Sequence, residues 1–306
     1  MRTLAFALII AFAAAAPLPG LAQQRDFSKV EIKTTKITDT FYALEGEGGR
    51  IGVLAGPDGI LMVDSQFAPL SEKIHAAIRQ ISDGPIRFLI NTHVHGDHTG
   101  GNANFAKLGA TIMARENLRT RLMKPSAPAG AKLPAPAPAI ALPVVTYEVQ
   151  TIIRMNGEEV HLIPAPVAHT DGDTMVYFPK ANVIMTGDFF RSVGYPNIDR
   201  VNGGTMNGML AAFEAVLKLG PADAKIAPGH GPIMDKAAVA AHRDVMIAVR
   251  DKVAALIQQN KTQDEVVAAK PTSEFDARVG GLAFNADRFV IQLYPECCIN
   301  NPLSSV

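Results

Sequence analysis

The chain has 306 residues, 48% hydrophobic and 19% charged, with 29 basic and 29 acidic side chains and a formal net charge of zero. This is an ordinary globular balance, long enough for one large domain or two small ones. It holds no basic surplus to attract nucleic acid and no acidic tail to dock or solvate, so nucleic-acid processing is not favoured.

Residues 1–22 read as a secretory signal peptide. Met1-Arg2 is a short positive start, residues 4–16 are apolar, and Gly20-Leu21-Ala22 offers small residues for cleavage. The apolar run is too short to span a bilayer comfortably, which disfavours a retained anchor, and no later run is long enough. The expected product is one domain over residues 23–306, exported to the periplasm or secreted, with no stable membrane insertion after cleavage.

Residues 29–63 suggest a β meander, with strands at 40–44, 51–55 and 60–63 and turn chemistry at Gly56-Pro57-Asp58-Gly59. The glycine-rich tip at 45–49 reads equally as a hairpin loop or a functional flap. The spacing of Ile74, Ala77, Ile78 and Ile81 predicts a helix over 71–81, with Ser71 as its N-cap and His75 at the surface. A buried-type strand follows at 86–91, and Gly100-Gly101-Asn102 opens another helix. Residues 124–143, rich in Pro and Ala, fit neither a regular helix nor a central strand. They read as a surface excursion between two halves of one fold, either a cleft wall or an idle loop.

The second half repeats the first. Residues 145–155 and 159–163 are expected strands around the hairpin turn Asn156-Gly157, with further strands at 175–178, 183–185 and 225–227. Helices are expected over 206–217, closed by Gly220, and over 236–259, whose apolar side includes His242 as a packing residue. More helices follow toward the C-terminus. Two packed sheets with helices outside are the expected arrangement. Cys297 and Cys298, the only cysteines, are adjacent; a bond between them would close a strained ring, so a structural disulfide is not expected, and zinc ligation is the remaining functional reading.

The chemistry concentrates in Thr92-His93-Val94-His95-Gly96-Asp97-His98 and three later positions, His169, Asp188 and His230. Each follows or precedes a short apolar run, and glycines flank nearly all of them, letting the backbone turn tightly. On an extended loop His93 and His95 alternate and point the same way, while Asp97 and His98 point apart. Seven nitrogen and carboxylate ligands are enough for two adjacent metal ions. Thr99, Thr170, Asp171 and Asp173 read as groups that orient the histidines. Arg191 is a candidate to grip a substrate carboxylate or a plain solvated arginine. Asn197 and Asn202 are weaker candidates for oxyanion donors, and Tyr195 is another cleft candidate.

The run His-x-His-x-Asp-His, the later single histidine, the Gly-Asp after a strand and the final Gly-His resemble the metallo-β-lactamase superfamily across residues 30–235. The resemblance implies an α+β four-layer αββα sandwich with two zinc ions in its cleft. His93, His95 and His169 would bind the first, Asp97, His98 and His230 the second, with Asp188 bridging. The commonest true β-lactamases of this type place a cysteine at the position of Asp188 and lack His98. A bridging aspartate resembles instead glyoxalase II, the zinc lactonases and general hydrolases of the superfamily.

The implied activity is an exported dinuclear zinc hydrolase whose metal-bridging hydroxide attacks a small cyclic amide, ester or lactone, with Asp97 orienting that hydroxide and passing a proton. A β-lactamase-type activity is its most concrete form. The alternatives are a glyoxalase II-like thioester hydrolase, a mononuclear-iron persulfide dioxygenase, and a metal-binding module without turnover. Other divalent metals suit the same ligands.

Overall fold

The protein is described by a computed structural model over residues 26–280 and 283–299; the signal-peptide reading of residues 1–22 lies outside the described residues. Seven strands form the first sheet in sequence order: β1 (Lys33–Lys36), β2 (Phe41–Glu45), β3 (Ile51–Gly56), β4 (Gly59–Val63), β5 (Ile86–Ile90), β6 (Thr111–Arg115) and β7 (Val145–Tyr147). The pairs from β1 to β4 are antiparallel and those from β4 to β7 parallel. Parallel neighbours need crossovers. These are α1 (Ser71–Arg79) between β4 and β5, then α2 (Gly96–Thr99) and α3 (Asn102–Lys107) between β5 and β6. The β6–β7 crossover holds α4 (Glu116–Met123) and the Pro-rich excursion, which is irregular apart from a 3-10 turn at Ala139–Ala141.

The second sheet is ordered β12-β11-β10-β9-β8, from β8 (Thr151–Met155), β9 (Glu158–Pro164), β10 (Thr174–Phe178), β11 (Val183–Gly187) and β12 (Lys225–Pro228). Asn156 and Gly157, at φ of 56° and 70°, make the tight β8–β9 turn that Asn-Gly predicts. Helices α5 (Met206–Lys218), α6 (Lys236–Gln258), α7 (Gln263–Ala268), α8 (Asp276–Val279) and α9 (Ala283–Ile299) complete the described chain.

Strand alternation explains the layering, because successive side chains point to opposite faces. On the first sheet Leu54, Leu61 and Val63 face Val160, Val176 and Met185 of the second sheet; Phe41 and Phe178 meet across the gap at 4.6 Å between ring centroids. The alternate residues Val53, Ile60 and Met62 turn outward against Ile74, Ile78 and Phe105 of α1 and α3. The second sheet's outer face packs Tyr177, Ile184 and Ile226 against α5, α6 and α9. The order helix, sheet, sheet, helix is the αββα sandwich expected from the sequence.

Three local expectations change. Residues 145–155 are not one strand: β7 belongs to the first sheet and β8 to the second, and residues 148–150 carry the chain across. Ser71 is the first helical residue rather than the cap, and its Oγ instead accepts from Asn104 Nδ2 at 2.9 Å. The second half of the histidine motif is a turn of helix, α2, rather than extended loop, so Asp97 and His98 sit on a helical curve. His242 is half-buried in an aromatic cluster with Phe190 and Phe213, as its place on the apolar side of α6 implies.

Candidate metal centre

All seven motif residues converge at one edge of the sandwich, four from the segment after β5 and three from the loops that follow β9, β11 and β12 of the second sheet. Their ligand atoms form three interlocking groups, each within 4.8 Å: His93, His95 and His169; His93, His98 and Asp188; Asp97, His98 and His230. Asp188 also lies 3.2 Å from His98 Nε2 and 3.3 Å from His230 Nε2, between the outer groups.

Hydrogen bonds fix which ring nitrogen faces inward. His95 Nε2 donates to Asp199 Oδ2 at 2.7 Å, and His169 Nδ1 donates to the carbonyl of Asn197 at 2.6 Å. Their other nitrogens face each other at 2.9 Å. As neutral rings these are two lone pairs in contact, an arrangement that needs a cation or a proton between them. The Thr92 hydroxyl donates to Asp64 at 2.7 Å and so accepts from His93 Nδ1 at 3.1 Å. His98 Nδ1 donates to Asp64 Oδ2 at 2.7 Å. Nε2 of both His93 and His98, and Oδ1 of Asp188, are buried without a hydrogen-bond partner. Buried polar atoms are seldom left so, and each of these points into the cluster. The donor set of imidazole nitrogens and carboxylates therefore fits divalent metal.

The electrostatics divide these groups. Burial, with His98 and His169 adding, holds His93 well below the usual histidine range, and burial with His95 beside it brings His169 down to about 4. Both rings are therefore neutral at pH 7, the form in which an imidazole could bind metal. Burial would raise the Asp97 carboxyl, but its bond to His230 and the charge of His98 bring it down to about 2. Burial opposes charge on His98 and His230 too; the carboxylates of Asp64 and Asp188 for the one, and Asp188 and Asp97 for the other, outweigh it and raise both.

Supporting residues explain the precision. Asp64, at the end of β4 with φ of 63°, accepts from the Thr92 backbone N at 2.8 Å as well as from Thr92 Oγ1 and His98. Asp199 is held by Asn202 through its backbone N and, at 2.7 Å, its Nδ2. Asp173 takes the N–H of His169 at 2.7 Å, and the Thr99 hydroxyl donates to the carbonyls of Val94 and His95. Thr170 donates its own hydroxyl to Asp173. Arg50, buried, donates to the carbonyls of Pro228 and Gly231 and so clamps the loop that carries His230. Gly49 lies so close to His98 that an added Cβ would be 2.1 Å from its ring. The glycine-rich tip is thereby a wall of the site, pinned by Gly49 N to Asp97 O and by Gln66 Nε2 to Gly49 O.

A cavity of about 490 Å³ opens over the centre, lined by Gly46, Glu47, Gly48, His95, Asp97, Asp188, Arg191, Asn197, His230 and Arg288. Arg191 and Asn197 are thus where a substrate would meet them. Asn202 is not; it holds Asp199 and borders a neighbouring cavity of about 280 Å³, whose wall includes Pro125, Pro134 and Ala137 of the Pro-rich excursion. Tyr195 also turns away: its hydroxyl bonds Asp276 and Thr272, and its ring stacks on Phe289. Asp171 pairs with Arg121 at 2.7 Å rather than with a histidine. Cys297 and Cys298 lie on α9, joined by no disulfide and, among the described residues, in none of the metal-ligand groups. Asp64, Asp199, Arg50 and Arg288 were not singled out in the sequence; the one available signal was Asp64, a carboxylate ending a fully apolar strand.

The chain matches the metallo-beta-lactamase superfamily over residues 45–230 and belongs to that superfamily. Its homologues there are metal-dependent hydrolases. The 2,4-dinitroanisole O-demethylase subunit alpha of Nocardioides sp. (strain JS1661) is 26% identical over 61% of this chain and 57% of its own length. A hydroxyacylglutathione hydrolase of Nitrosococcus oceani is 26% identical over 64% of this chain and 66% of its own. The chain thus spans less than two thirds of the length of either. A metallo-beta-lactamase from Pontibacter korlensis shares the fold at a TM-score of 0.60 and 16% identity, across 71% of this chain and 99% of that one.

Proposed function

We propose that this chain is an exported dinuclear zinc hydrolase acting on a small cyclic amide, ester or lactone. The observation that carries the reading is the inward aim of the histidine lone pairs, set by Asp64, Thr92, Asn197 and Asp199, together with Asp188 between the two groups. His93, His95 and His169 would hold one ion, Asp97, His98 and His230 the other, and Asp188 would touch both. When bound, such ions supply Lewis acidity, bringing a water's pKa toward neutrality and polarising a carbonyl.

The chain's own residues do the rest. Asp97 lines the cavity as an ionised carboxylate and is placed to orient an attacking water and move its proton to the leaving group. Asp64 and Asp199 keep His98 and His95 in the tautomers that present a free nitrogen. Gly48 and Gly46, with Asn197 opposite, limit the space a substrate occupies. Export rests on the signal-peptide pattern at 1–22. Asp188, and the likeness to a hydroxyacylglutathione hydrolase, favour thioesters as the second reading. A single-iron centre would leave one of the two ligand groups idle.

The test is metal content per chain on purified mature protein, with turnover of a chromogenic β-lactam, a lactone and a thioester. The reading expects about two zinc per chain, turnover of at least one probe abolished by chelation, and loss of that turnover in Asp97→Asn. One iron per chain, or two zinc with Asp97→Asn as active as wild type, would overturn it.

A further inference from the structure

The described arginines share one habit with two exceptions. Arg50, Arg79, Arg87, Arg115, Arg119 and Arg121 each reach a carboxylate or carbonyl oxygen, and so do Arg154, Arg200, Arg243, Arg250 and Arg278. Arg191 and Arg288 form no hydrogen bond or ion pair among the described residues, although Nε of Arg191 and both Nε and Nη2 of Arg288 are sealed from solvent. Both line the cavity over the metal centre.

Arg288 does not arrive there by accident. On α9 the residues Arg288, Gln292 and Glu296 recur every fourth position and share a face. Gln292 bonds Ile198 N at 3.0 Å and Asn197 Oδ1 at 2.6 Å, and Glu296 accepts from the N–H groups of Met206 and Asn207. These bonds hold α9 against the loop that fixes His169 and His95, so the helix delivers Arg288 to the cavity in a set position. Burial, then the neighbouring charge of Arg191, pulls Arg288 below the usual arginine range, with Asp188 offsetting only part. Two like charges kept close with no acceptor among the described residues are costly unless an anion joins them, and the guanidinium nitrogens left open to one are both Nη of Arg191 and Nη1 of Arg288.

We infer that Arg191 and Arg288 form a two-guanidinium seat for an oxyanion group of the substrate, carboxylate or tetrahedral. Planar guanidinium forks match either group through paired hydrogen bonds. The cavity is of a size for a small ligand, whose anionic end lies on the arginines while its scissile bond faces Asp97 and Asp188. This rests on the hydrolase reading above and names its substrate class as small anions. Arg288 lies beyond the residues 45–230 that match the superfamily, so the seat is built partly by this chain's own C-terminal helix.

The test is calorimetric titration of the metal-loaded protein with inorganic phosphate and, separately, with succinate, comparing wild type with Arg191→Gln, Arg288→Gln and Arg288→Lys. Metal content and melting temperature are measured on each sample. Direct anion contact with the metals is common to all variants, so the difference isolates the arginines. Each glutamine variant is expected to weaken binding about 10- to 100-fold, with Arg288→Lys recovering part of it. Weakening for phosphate alone assigns a tetrahedral anion, and for succinate alone a carboxylate. Unchanged affinity for both probes in variants with wild-type metal content overturns the seat. Should Arg288→Gln not fold, Arg191→Gln and Arg288→Lys decide the matter by the same criterion. Wild type without metal would sink the hydrolase reading, while the anion titrations would still report on the arginines.

Discussion

Asp64→Asn is the sharpest test of how the centre is held. Asp64 is almost wholly buried and receives three donors: Thr92 N at 2.8 Å, Thr92 Oγ1 at 2.7 Å and His98 Nδ1 at 2.7 Å. Asparagine matches its shape and tolerates the positive φ of 63°, so the backbone is spared. It has only one acceptor oxygen, however. If that oxygen keeps the Thr92 N–H, the amide NH₂ meets His98 Nδ1, which must then become an acceptor. The ring's proton moves to Nε2, the nitrogen that faces Asp97, Asp188 and His230, and that nitrogen no longer has a lone pair for metal. Lost partners of this kind cost metal affinity about 10- to 100-fold, or roughly 1.4–2.8 kcal/mol. The assay is competition with a chromophoric chelator, resolving two binding steps. The weaker-bound ion in the variant should be the one held by Asp97, His98 and His230, the other changing little. Two ions bound with wild-type affinity would refute the tautomer argument.

Other outcomes follow from the same geometry. Gly49→Ala should drive a methyl into His98; we expect loss of one metal equivalent and a lower melting temperature, read by elemental analysis and calorimetry. Gln292→Ala removes two bonds to the loop at 197–198 and should cost about 1–2 kcal/mol of stability in denaturant titration. Desolvation of the half-buried His242 ring brings it down to about 4, against about 6.5 in an unfolded chain, so its contribution is full above pH 6.5 and is lost as pH falls toward 4. At pH 5 wild type should have lost about 2 kcal/mol from this group. His242→Leu should not show that part of the acid sensitivity, and equal pH slopes for the two proteins would contradict it.

What the sequence disclosed, and what it hid, divides by distance along the chain. The histidine motif was legible because four ligands crowd into six residues, and His169, Asp188 and His230 because each sits at the end of a short apolar run. The short, wholly apolar runs of β3 and β4, separated by a Gly-Pro-Asp-Gly turn, disclosed half of the layered core. The split between β7 and β8 was hidden, since one alternating run serves both and only the packing sends Tyr147 and Met155 to different sheets. The supporting residues were hidden for a related reason. Asp199 lies 104 residues from His95, and Arg50 lies 181 from Gly231. No local pattern links such pairs. Arg288 is harder still, because its significance is the lack of an acceptor, which every other described arginine except Arg191 has.

The division of ligands between the sheets has a mechanical consequence. His93, His95, Asp97 and His98 travel with the seven-stranded sheet, His169, Asp188 and His230 with the five-stranded one. Neither set alone holds a whole ligand group around Asp188, so the centre comes into being only when the two halves have met in register. An ion lodged there acts as a rivet through the laminate. A chain opened within residues 124–143 should leave two pieces that pair more tightly with metal than without it.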